Sequence, residues 1–199
     1  MASPTDPFDR RNLLTYLSLL CGVAAVAAAS AGQAGMAGLG IAVAVIADTF
    51  DGRFARRFGA DPRRCALGTE LDSLADAIAF GIAPPLCSAL LLDVGPGVMG
   101  WALWGAAFVH AACAITRLAA YNVDAAESRN AFIGIPVPLS ALIWATALLG
   151  QPSAAVTIGV ILATAAAMVL PLRIPRPTGA GLVVFVLWPL AVAILHAYR

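Results

Sequence analysis

Charge is scarce in this sequence, and lysine is absent. Only 12% of the 199 residues are charged, all twelve basic residues are arginine, and the formal net charge is +1. A nucleic-acid-binding protein needs an excess of basic residues to neutralise phosphates. The composition therefore gives no support to that class, and we attribute the missing lysine to compositional drift.

Zinc ligands and the common nucleotide motifs are missing as well. The four cysteines are scattered without CxxC spacing, and three of them lie in apolar segments. We expect free thiols that pack as small hydrophobic side chains, and neither disulfides nor a zinc site. GxGxxG, Walker A and HExxH patterns are absent, which removes the usual signatures of dinucleotide, ATP and zinc-protease sites.

Long apolar segments make up most of the chain, which is 61% hydrophobic with a mean hydropathy of +0.88. A soluble domain of this length could not bury so much apolar surface. The sequence predicts a single all-α, polytopic membrane domain, residues 1–199, with about six to seven spans. The expected spans cover about residues 12–30, 33–56, 69–92, 98–121, 136–150, 154–171 and 179–197.

The arginines are distributed unevenly between the two ends of these spans. If the N-terminus is cytoplasmic, nine arginines lie in or beside cytoplasmic segments, Arg53 and Arg117 lie in helices near their cytoplasmic ends, and only Arg199 lies outside. Cytoplasmic connections of membrane proteins are enriched in basic residues. We therefore expect a cytoplasmic N-terminus and a location in the cell (inner) membrane.

Four aspartates interrupt the apolar pattern where the second span ends and the third begins. Asp48 and Asp51 are three residues apart, and Asp72 and Asp76 are four apart, so each pair lies on one helix face. A short connection makes the two spans antiparallel neighbours, which lets the carboxylates converge near the inner surface. An aspartate near the middle of a span costs ~2.5–3.5 kcal/mol, and less near its ends.

A hard divalent cation, or two, is the simplest compensation for such a cluster. Oxygen ligands favour Mg²⁺ or Mn²⁺, with Ca²⁺ as an alternative, over Zn²⁺. The competing interpretation is that the carboxylates are solvated, or paired with Arg53, Arg56 and Arg57. Small neighbours such as Gly52 leave room for a ligand, and the planar guanidinium of Arg56 suits a phosphate.

The stretch DTFDGRFAR…GTELDSLAD resembles the signature of the CDP-alcohol phosphotransferase family. The signature has two acids and DG, then AR, then G-xxx-D-xxx-D, and its positions are filled by Asp48, Asp51, Gly52, Ala55, Arg56, Gly68, Asp72 and Asp76. The eleven residues between Arg56 and Gly68 are more than is usual in the family. The extra residues lie in RRFGADPRRCAL, which we predict to be a loop.

Within that family, three further stretches resemble the phosphatidylserine synthases of bacteria and archaea. They are ELDSLADAIAFGIAPP (70–85), TRLAAYNV (116–123) and FIGIPVPLSA (132–141). Ala120 stands where those enzymes carry a second arginine. The resemblance covers about residues 10–176 and leaves the last span, about 179–197, as an addition without a clear counterpart.

The resemblance implies an enzyme that transfers the phosphatidyl group of CDP-diacylglycerol to L-serine, giving phosphatidylserine and CMP. It implies a homodimer among membrane lipids, with the active site facing the cytoplasm. Two metal ions, Mg²⁺ or Mn²⁺, would be held by Asp48, Asp51, Asp72 and Asp76, of which Asp76 is the candidate general base. The CDP site would be lined by Gly52, Ala55, Arg56 and Gly68.

The acceptor site is less defined by the sequence. Serine carries a carboxylate, and we predict that Arg117, Asn122 and Arg129 bind the acceptor. Snorkelling at a span end is the alternative for Arg117, and an ordinary loop charge is the alternative for Arg129. Inositol phosphate, glycerol phosphate or choline are the other candidate acceptors. A phosphate-bearing acceptor would require a denser basic pocket, which favours serine.

Two other classes of function fit the sequence less well. A cation carrier or channel would distribute its acids through the membrane depth, and a non-catalytic scaffold has no reason to keep four carboxylates. Of the two histidines, we expect His110 to be a buried neutral imidazole hydrogen-bonded between helices, with a proton relay as the alternative. His196 has no evident partner in the sequence.

Overall fold

Eight α-helices account for most of the structure, a computed structural model that describes residues 8–59, 61–124, 131–171, 173–175 and 180–198. A π-helical turn, Ala77–Ile82, joins the third helix to the fourth, and 3₁₀ turns cover Arg10–Asn12 and Arg56–Phe58. The helices are α1 (Leu13–Ser30), α2 (Ala34–Ala55), α3 (Pro62–Asp76), α4 (Ala83–Leu92), α5 (Val98–Asp124), α6 (Val137–Leu148), α7 (Ala154–Val169) and α8 (Ala180–Ala197).

Four helical segments are long and apolar enough to cross a membrane, and three more are shorter apolar helices. Large apolar side chains on their outer faces stay exposed, such as Trp101 at 77% and Phe108 at 73%. The prediction of an all-α, multi-pass membrane protein is confirmed. The long segments are Arg10–Ser30, Ala34–Phe58, Pro62–Leu92 and Val98–Val123, and the shorter ones are Val137–Leu148, Ala154–Val169 and Val186–Ala197.

The third span begins earlier than predicted, and the prediction of a loop over RRFGADPRRCAL is wrong from Pro62 onward, where the chain is already helical. Helix α3 starts at Pro62, because Asp61 caps it. The carboxylate of Asp61 accepts from the N–H groups of Arg63 at 2.9 Å and Arg64 at 3.3 Å. Proline suits the first helical position, where no N–H needs a partner. The extra residues between Arg56 and Gly68 therefore lengthen a helix at the acidic end of the bundle.

A short antiparallel ribbon, which the sequence did not predict, ties α6 to α7. Its strands are β1 (Ala131–Ile133) and β2 (Arg173–Pro175). Gly134 follows β1 with a φ of +70°, and the N–H of Ile135 donates to the carbonyl oxygen of Ala167 at 3.0 Å. The glycine-proline segment thus closes the last turn of α7, at the same end of the bundle as the acids.

Helix α8 belongs to the packed bundle, because it lies against α2. His196 is 2% exposed, and its Nε2 donates to the carbonyl oxygen of Ala145 at 2.9 Å. Its ring fills the space that a side chain at Gly38 would need. The sequence had suggested no partner for His196, because the contacts come from helices distant in the chain.

Candidate active site

Carboxylates from two helices converge at one end of the bundle. Asp48 lies near the end of α2, and Asp72 and Asp76 lie in the last turns of α3. One carboxylate oxygen from each of these three residues lies within 4.8 Å of the others. Asp51, one turn beyond Asp48, lines the same cavity as Asp72. It also accepts a hydrogen bond from the Thr15 hydroxyl at 3.1 Å. The structure therefore brings together all four predicted acids.

The charges of these aspartates are not offset by arginine. Among the described residues, the ion pairs join Arg64 to Asp9 at 3.0 Å and to Asp61 at 4.0 Å, and neither involves the cluster. Asp76 is only 9% exposed. A buried, unpaired carboxylate is costly. The interpretation that the acids pair with neighbouring arginines therefore finds no support in this part of the chain.

The donor set fits a hard divalent cation. Oxygen atoms that all bind one Mg²⁺ or Ca²⁺ at roughly 2.0–2.6 Å can be no more than about 4–5 Å apart. The three oxygens of Asp48, Asp72 and Asp76 meet that limit at 4.8 Å. They are all carboxylate oxygens, which Mg²⁺, Mn²⁺ and Ca²⁺ prefer and which do not favour zinc. These residues could therefore hold a metal ion without a large rearrangement.

A polar cavity of about 240 Å³ adjoins the cluster and lies between α1, α2 and α3. Asp51 and Asp72 form part of its wall. The remaining wall includes every residue that the sequence predicted for the CDP site, namely Gly52, Ala55, Arg56 and Gly68. Helix α1 packs along α2 and also contacts α3, so that α2 and α3 face each other across this space.

Several residues of this cavity were missed by sequence reasoning. Arg11 is 7% exposed, and its Nη2 donates to the Cys65 Sγ at 3.1 Å. In the sequence, Arg11 counts only as one of the cytoplasmic arginines that orient the chain. The polar side chain of Thr15 in an apolar segment is a signal from which a cavity residue could be predicted. The missed wall residues are Arg11, Asn12, Thr15, Arg64, Cys65 and Thr69.

The two glycines of the cavity keep its wall open. A Cβ on Gly68 would lie 3.3 Å from Oδ1 of Asn12, a tight contact. A Cβ on Gly52 would meet only Nη1 of Arg56, at 3.5 Å, which is ordinary van der Waals distance. Packing within the chain therefore does not require glycine at position 52. A bulkier residue there would project into the cavity.

Arg117 lies on α5 beside the acidic cluster. The carbon at the centre of its guanidinium stands 5.9 Å from the ring centroid of Tyr121. Its Nε is buried, and the described residues offer it no hydrogen-bond partner. A buried donor without a partner carries a free-energy cost. The orphaned donor could therefore bind an anionic group. Arg129, the other predicted basic residue, lies outside the described residues.

Asn122, the third residue predicted for the acceptor site, connects α5 to α3. Its Nδ2 donates to the Ser73 hydroxyl at 2.9 Å, and that hydroxyl lies 3.3 Å from Oδ1 of Asn122. Ser73 directly follows Asp72, so the contact fixes α5 next to the acids. Sequence reasoning had not singled out Ser73, because nothing in its immediate neighbourhood identified a partner.

His110 is buried between three helical segments, as expected. It is 2% exposed, its Nδ1 lies 3.0 Å from the carbonyl oxygen of Gly81, and its Nε2 lies 3.4 Å from the hydroxyl of Ser140. The prediction of an imidazole hydrogen-bonded between helices is confirmed. A carbonyl oxygen only accepts hydrogen bonds, so Nδ1 carries the proton and donates a hydrogen bond to the Gly81 carbonyl.

Several curated proteins are similar to this chain in sequence. A CDP-diacylglycerol–serine O-phosphatidyltransferase of Mycobacterium leprae is 35% identical over 136 residues, which are 65% of this chain and 43% of that relative. One from Helicobacter pylori is 34% identical over 133 residues, 66% of this chain and 54% of the relative. The archaetidylserine synthase of Methanothermobacter thermautotrophicus is 30% identical over 151 residues, 70% of this chain and 58% of the relative.

The matched stretch thus spans about half the length of these curated relatives. A family model covers far more of the chain. The model described as CDP-alcohol phosphatidyltransferase matches residues 11–194, which run from the cavity residue Arg11 into the last helix. The resemblance identified from the acidic motif is confirmed, and the chain belongs to the CDP-alcohol phosphatidyltransferase family.

Proposed function

We propose that this protein transfers the phosphatidyl group of CDP-diacylglycerol to the hydroxyl of L-serine, giving phosphatidylserine and CMP. The observation that carries the proposal is the convergence of the Asp48, Asp72 and Asp76 carboxylates beside a cavity lined by Arg56. The names of the relatives from Mycobacterium leprae and Helicobacter pylori support this donor and this acceptor.

The cytidine diphosphate would occupy the polar cavity, and the acyl chains would remain in the bilayer. Arg11, Arg56 and Arg64 supply positive charge to the cavity wall. Guanidinium forks match the geometry of phosphate oxygens and stay charged at every relevant pH. The open wall at Gly52 and Gly68 would allow the nucleotide to approach the backbone closely.

The four aspartates would hold divalent ions, which we take to be a pair of Mg²⁺ or Mn²⁺ with Ca²⁺ as the alternative. When bound, such ions would supply positive charge that offsets the negative charge developing as CMP leaves. The ligands would be Asp48, Asp51, Asp72 and Asp76. This assignment accounts for acids that lie in a membrane helix bundle and form no ion pair with any arginine that the structure describes.

In the reaction, Asp76 would take the proton of the serine hydroxyl while the serine oxygen forms a bond to the phosphorus that carries diacylglycerol. The bond from that phosphorus to the bridging oxygen breaks, and CMP leaves with the electron pair. Asp76 is the most buried acid of the cluster, at 9% exposure. The chain itself forms no covalent intermediate in this scheme, and its contribution is positioning and charge stabilisation.

The acceptor would lie between α3 and α5. Arg117 would bind the serine carboxylate through its buried Nε, which has no partner in the described structure. Asn122 would hold α5 in place through Ser73, and Arg129 would add positive charge to this side. Inositol phosphate, glycerol phosphate and choline are the alternative acceptors. The first two carry a phosphate and would require more basic groups here.

The positions of the arginines support an orientation for the protein in the membrane. Arg11, Arg56 and Arg64 lie at the acidic end of the bundle, and basic residues concentrate on the cytoplasmic side. We therefore place the N-terminus and the active site at the cytoplasmic face of the inner membrane. We further propose that residues 1–199 form one membrane domain, with the last helix as part of it, and that the protein is a homodimer surrounded by membrane lipids.

The proposal is tested by CMP release from CDP-diacylglycerol with purified protein and Mn²⁺ or Mg²⁺. Serine, inositol phosphate, glycerol phosphate and choline are supplied in separate reactions. We expect release with serine alone, and no release after chelation of the metal. Release with a different acceptor would reject serine but keep the metal-dependent transfer. No release with any acceptor, from a folded and metal-loaded sample, would reject the transferase assignment.

A further inference from the structure

We propose that His110 is a positioning residue for the acceptor alcohol. By donating a hydrogen bond to the carbonyl of Gly81, it sets the register of α5 on the π-helical turn that follows α3, and with it the position of Arg117 relative to Asp76. The inference rests on the proposed function of this site, and it assigns His110 no contact with the substrate.

The carbonyl of Gly81 lacks the donor that a regular helix would supply. In an α-helix it would accept from the N–H of residue 85, but that residue is Pro85, which has no N–H. The chain forms a π-helical turn over Ala77–Ile82, directly after Asp76. Such turns are rare and recur at functional sites. His110 supplies a donor at 3.0 Å to this carbonyl, which would otherwise be costly to bury.

The same face of α5 continues from His110 to the acidic cluster. His110, Ala114, Arg117 and Tyr121 are spaced by four, three and four residues, and therefore lie on one side of the helix. A Cβ on Gly81 would lie 3.0 Å from the Cβ of Ala114, so the backbones approach closely at that point. The hydrogen bond from His110 to Gly81 fixes one end of this face. The other end reaches α3, the helix that carries Asp72 and Asp76.

One hydrogen bond at the acidic end depends on this register: Nδ2 of Asn122 donates to the Ser73 hydroxyl at 2.9 Å. Arg117 lies on the same helix, between His110 and Asn122. On its other side, Nε2 of His110 faces the Ser140 hydroxyl of α6 at 3.4 Å, and that hydroxyl donates to the carbonyl oxygen of Val137 at 2.9 Å. An axial shift or rotation of α5 would move Arg117 away from the acids. The His110 bond opposes that shift.

The polar cavity proposed for the cytidine diphosphate does not depend on the register of α5. Its wall comes from the start of α1 with the turn before it, the end of α2 with the turn after it, and α3 as far as Asp72; among the described residues no member of α5 lines it. Loss of the His110 bond should therefore affect acceptor binding and leave donor binding nearly unchanged. A general loss of folding would affect both.

The test is steady-state kinetics of His110→Leu, His110→Asn and His110→Gln, with serine and CDP-diacylglycerol varied separately. We expect His110→Leu to raise the KM for serine about tenfold, the equivalent of one lost hydrogen bond, with the KM for CDP-diacylglycerol nearly unchanged. Asparagine places its amide nitrogen near the position of Nδ1 and should restore the serine KM. Glutamine places its amide near Nε2 and should not.

His196→Leu is the matched control, because His196 is also 2% exposed and also donates to a carbonyl, that of Ala145 on α6. It should lower thermal stability without changing the serine KM. Gly81→Ala is an independent variant that keeps His110. Its new Cβ would press on Ala114, and we expect it to raise the serine KM as well. An unchanged serine KM in His110→Leu, or an equal rise in His196→Leu, would overturn the proposal.

A readout without catalysis separates this inference from the proposed function. In a cysteine-free background, Ser73→Cys with Asn122→Cys reports the α3–α5 contact through the rate of disulfide formation. We expect His110→Leu to slow that rate and His196→Leu to leave it unchanged. If the parent enzyme releases no CMP with serine, the proposed function fails, and the crosslinking rate still decides whether His110 sets the register. Equal rates in both variants would refute it.

Discussion

Thr15 and Asp51 connect the first helix to the acidic cluster, because the Thr15 hydroxyl donates to Oδ2 of Asp51 at 3.1 Å. Thr15 is 5% exposed, and the bond is partly buried at the wall of the polar cavity. The two residues are 36 positions apart in the chain. The bond orients the one aspartate that stands outside the tight group of Asp48, Asp72 and Asp76.

This bond predicts that Thr15→Val weakens metal binding although valine has the same shape. Partners that orient a metal ligand typically contribute 10–100-fold to affinity, and we expect a loss of about that size for Mn²⁺. The measurement is a Mn²⁺ titration of purified protein by electron paramagnetic resonance. Thr15→Ser keeps the hydroxyl and should bind Mn²⁺ as the parent does. Equal affinity in Thr15→Val would exclude Asp51 as an oriented ligand.

Gly52→Ala should separate donor binding from folding. The new Cβ meets only Nη1 of Arg56 at 3.5 Å, so the variant should fold and be at least as stable, since alanine favours a helix over glycine by roughly 0.5–1 kcal/mol. We expect its KM for CDP-diacylglycerol to rise about tenfold, or about 1.4 kcal/mol. Gly105→Ala on α5 is the control, because nothing lies within 4 Å of its Cβ. The same KM in both variants would place the nucleotide elsewhere.

Arg117→Lys should impair acceptor binding although the positive charge is retained. Lysine lacks the planar fork and its Nε donor, and a hydrogen bond to a charged group contributes about 1.5–3 kcal/mol. We therefore expect the KM for serine to rise about 10–100-fold. The exposed Arg57, replaced by alanine, is the control and should show the parental KM. A serine KM that does not change in Arg117→Lys would remove Arg117 from the acceptor site.

Gly22→Ala tests the packing that supports the π-helical turn. A Cβ on Gly22 would lie 2.7 Å from the Cα of Ala79, a backbone atom that cannot move aside easily. Overpacking of this kind costs about 1–3 kcal/mol. Thermal unfolding in detergent should therefore show a lower midpoint than for Gly159→Ala, where nothing lies within 4 Å of the new Cβ. Equal midpoints would indicate that α1 can shift freely at this contact.

The acidic cluster could be predicted from the sequence because its geometry is local. Spacings of three and four residues put Asp48 with Asp51, and Asp72 with Asp76, on single helix faces, and the connection between them limits their separation. The start of α3 was missed for a different reason. Asp61 and Pro62 form a standard helix start. Aspartate and proline are equally typical of turns, so the local sequence does not distinguish a turn from a helix start.

The remaining features depend on contacts between distant parts of the chain. Arg11 and Thr15 became cavity residues only because α1 packs against both α2 and α3. The pairing of β1 with β2 joins residues some 40 positions apart, and the His196–Gly38 contact joins the last helix to the second. No local pattern encodes such contacts, so they required the tertiary structure.

Transfer to serine through the acidic cluster is tested most directly by the lipid product. Purified protein is incubated with CDP-diacylglycerol, Mn²⁺ and ¹³C-labelled serine, in parallel with Asp76→Asn, and the lipids are analysed by mass spectrometry. We predict labelled phosphatidylserine in amounts equal to the CMP released by the parent, and no labelled lipid from Asp76→Asn. Labelled lipid formed at the parental rate by Asp76→Asn, or a parent that releases CMP without labelled lipid, would contradict the proposed reaction.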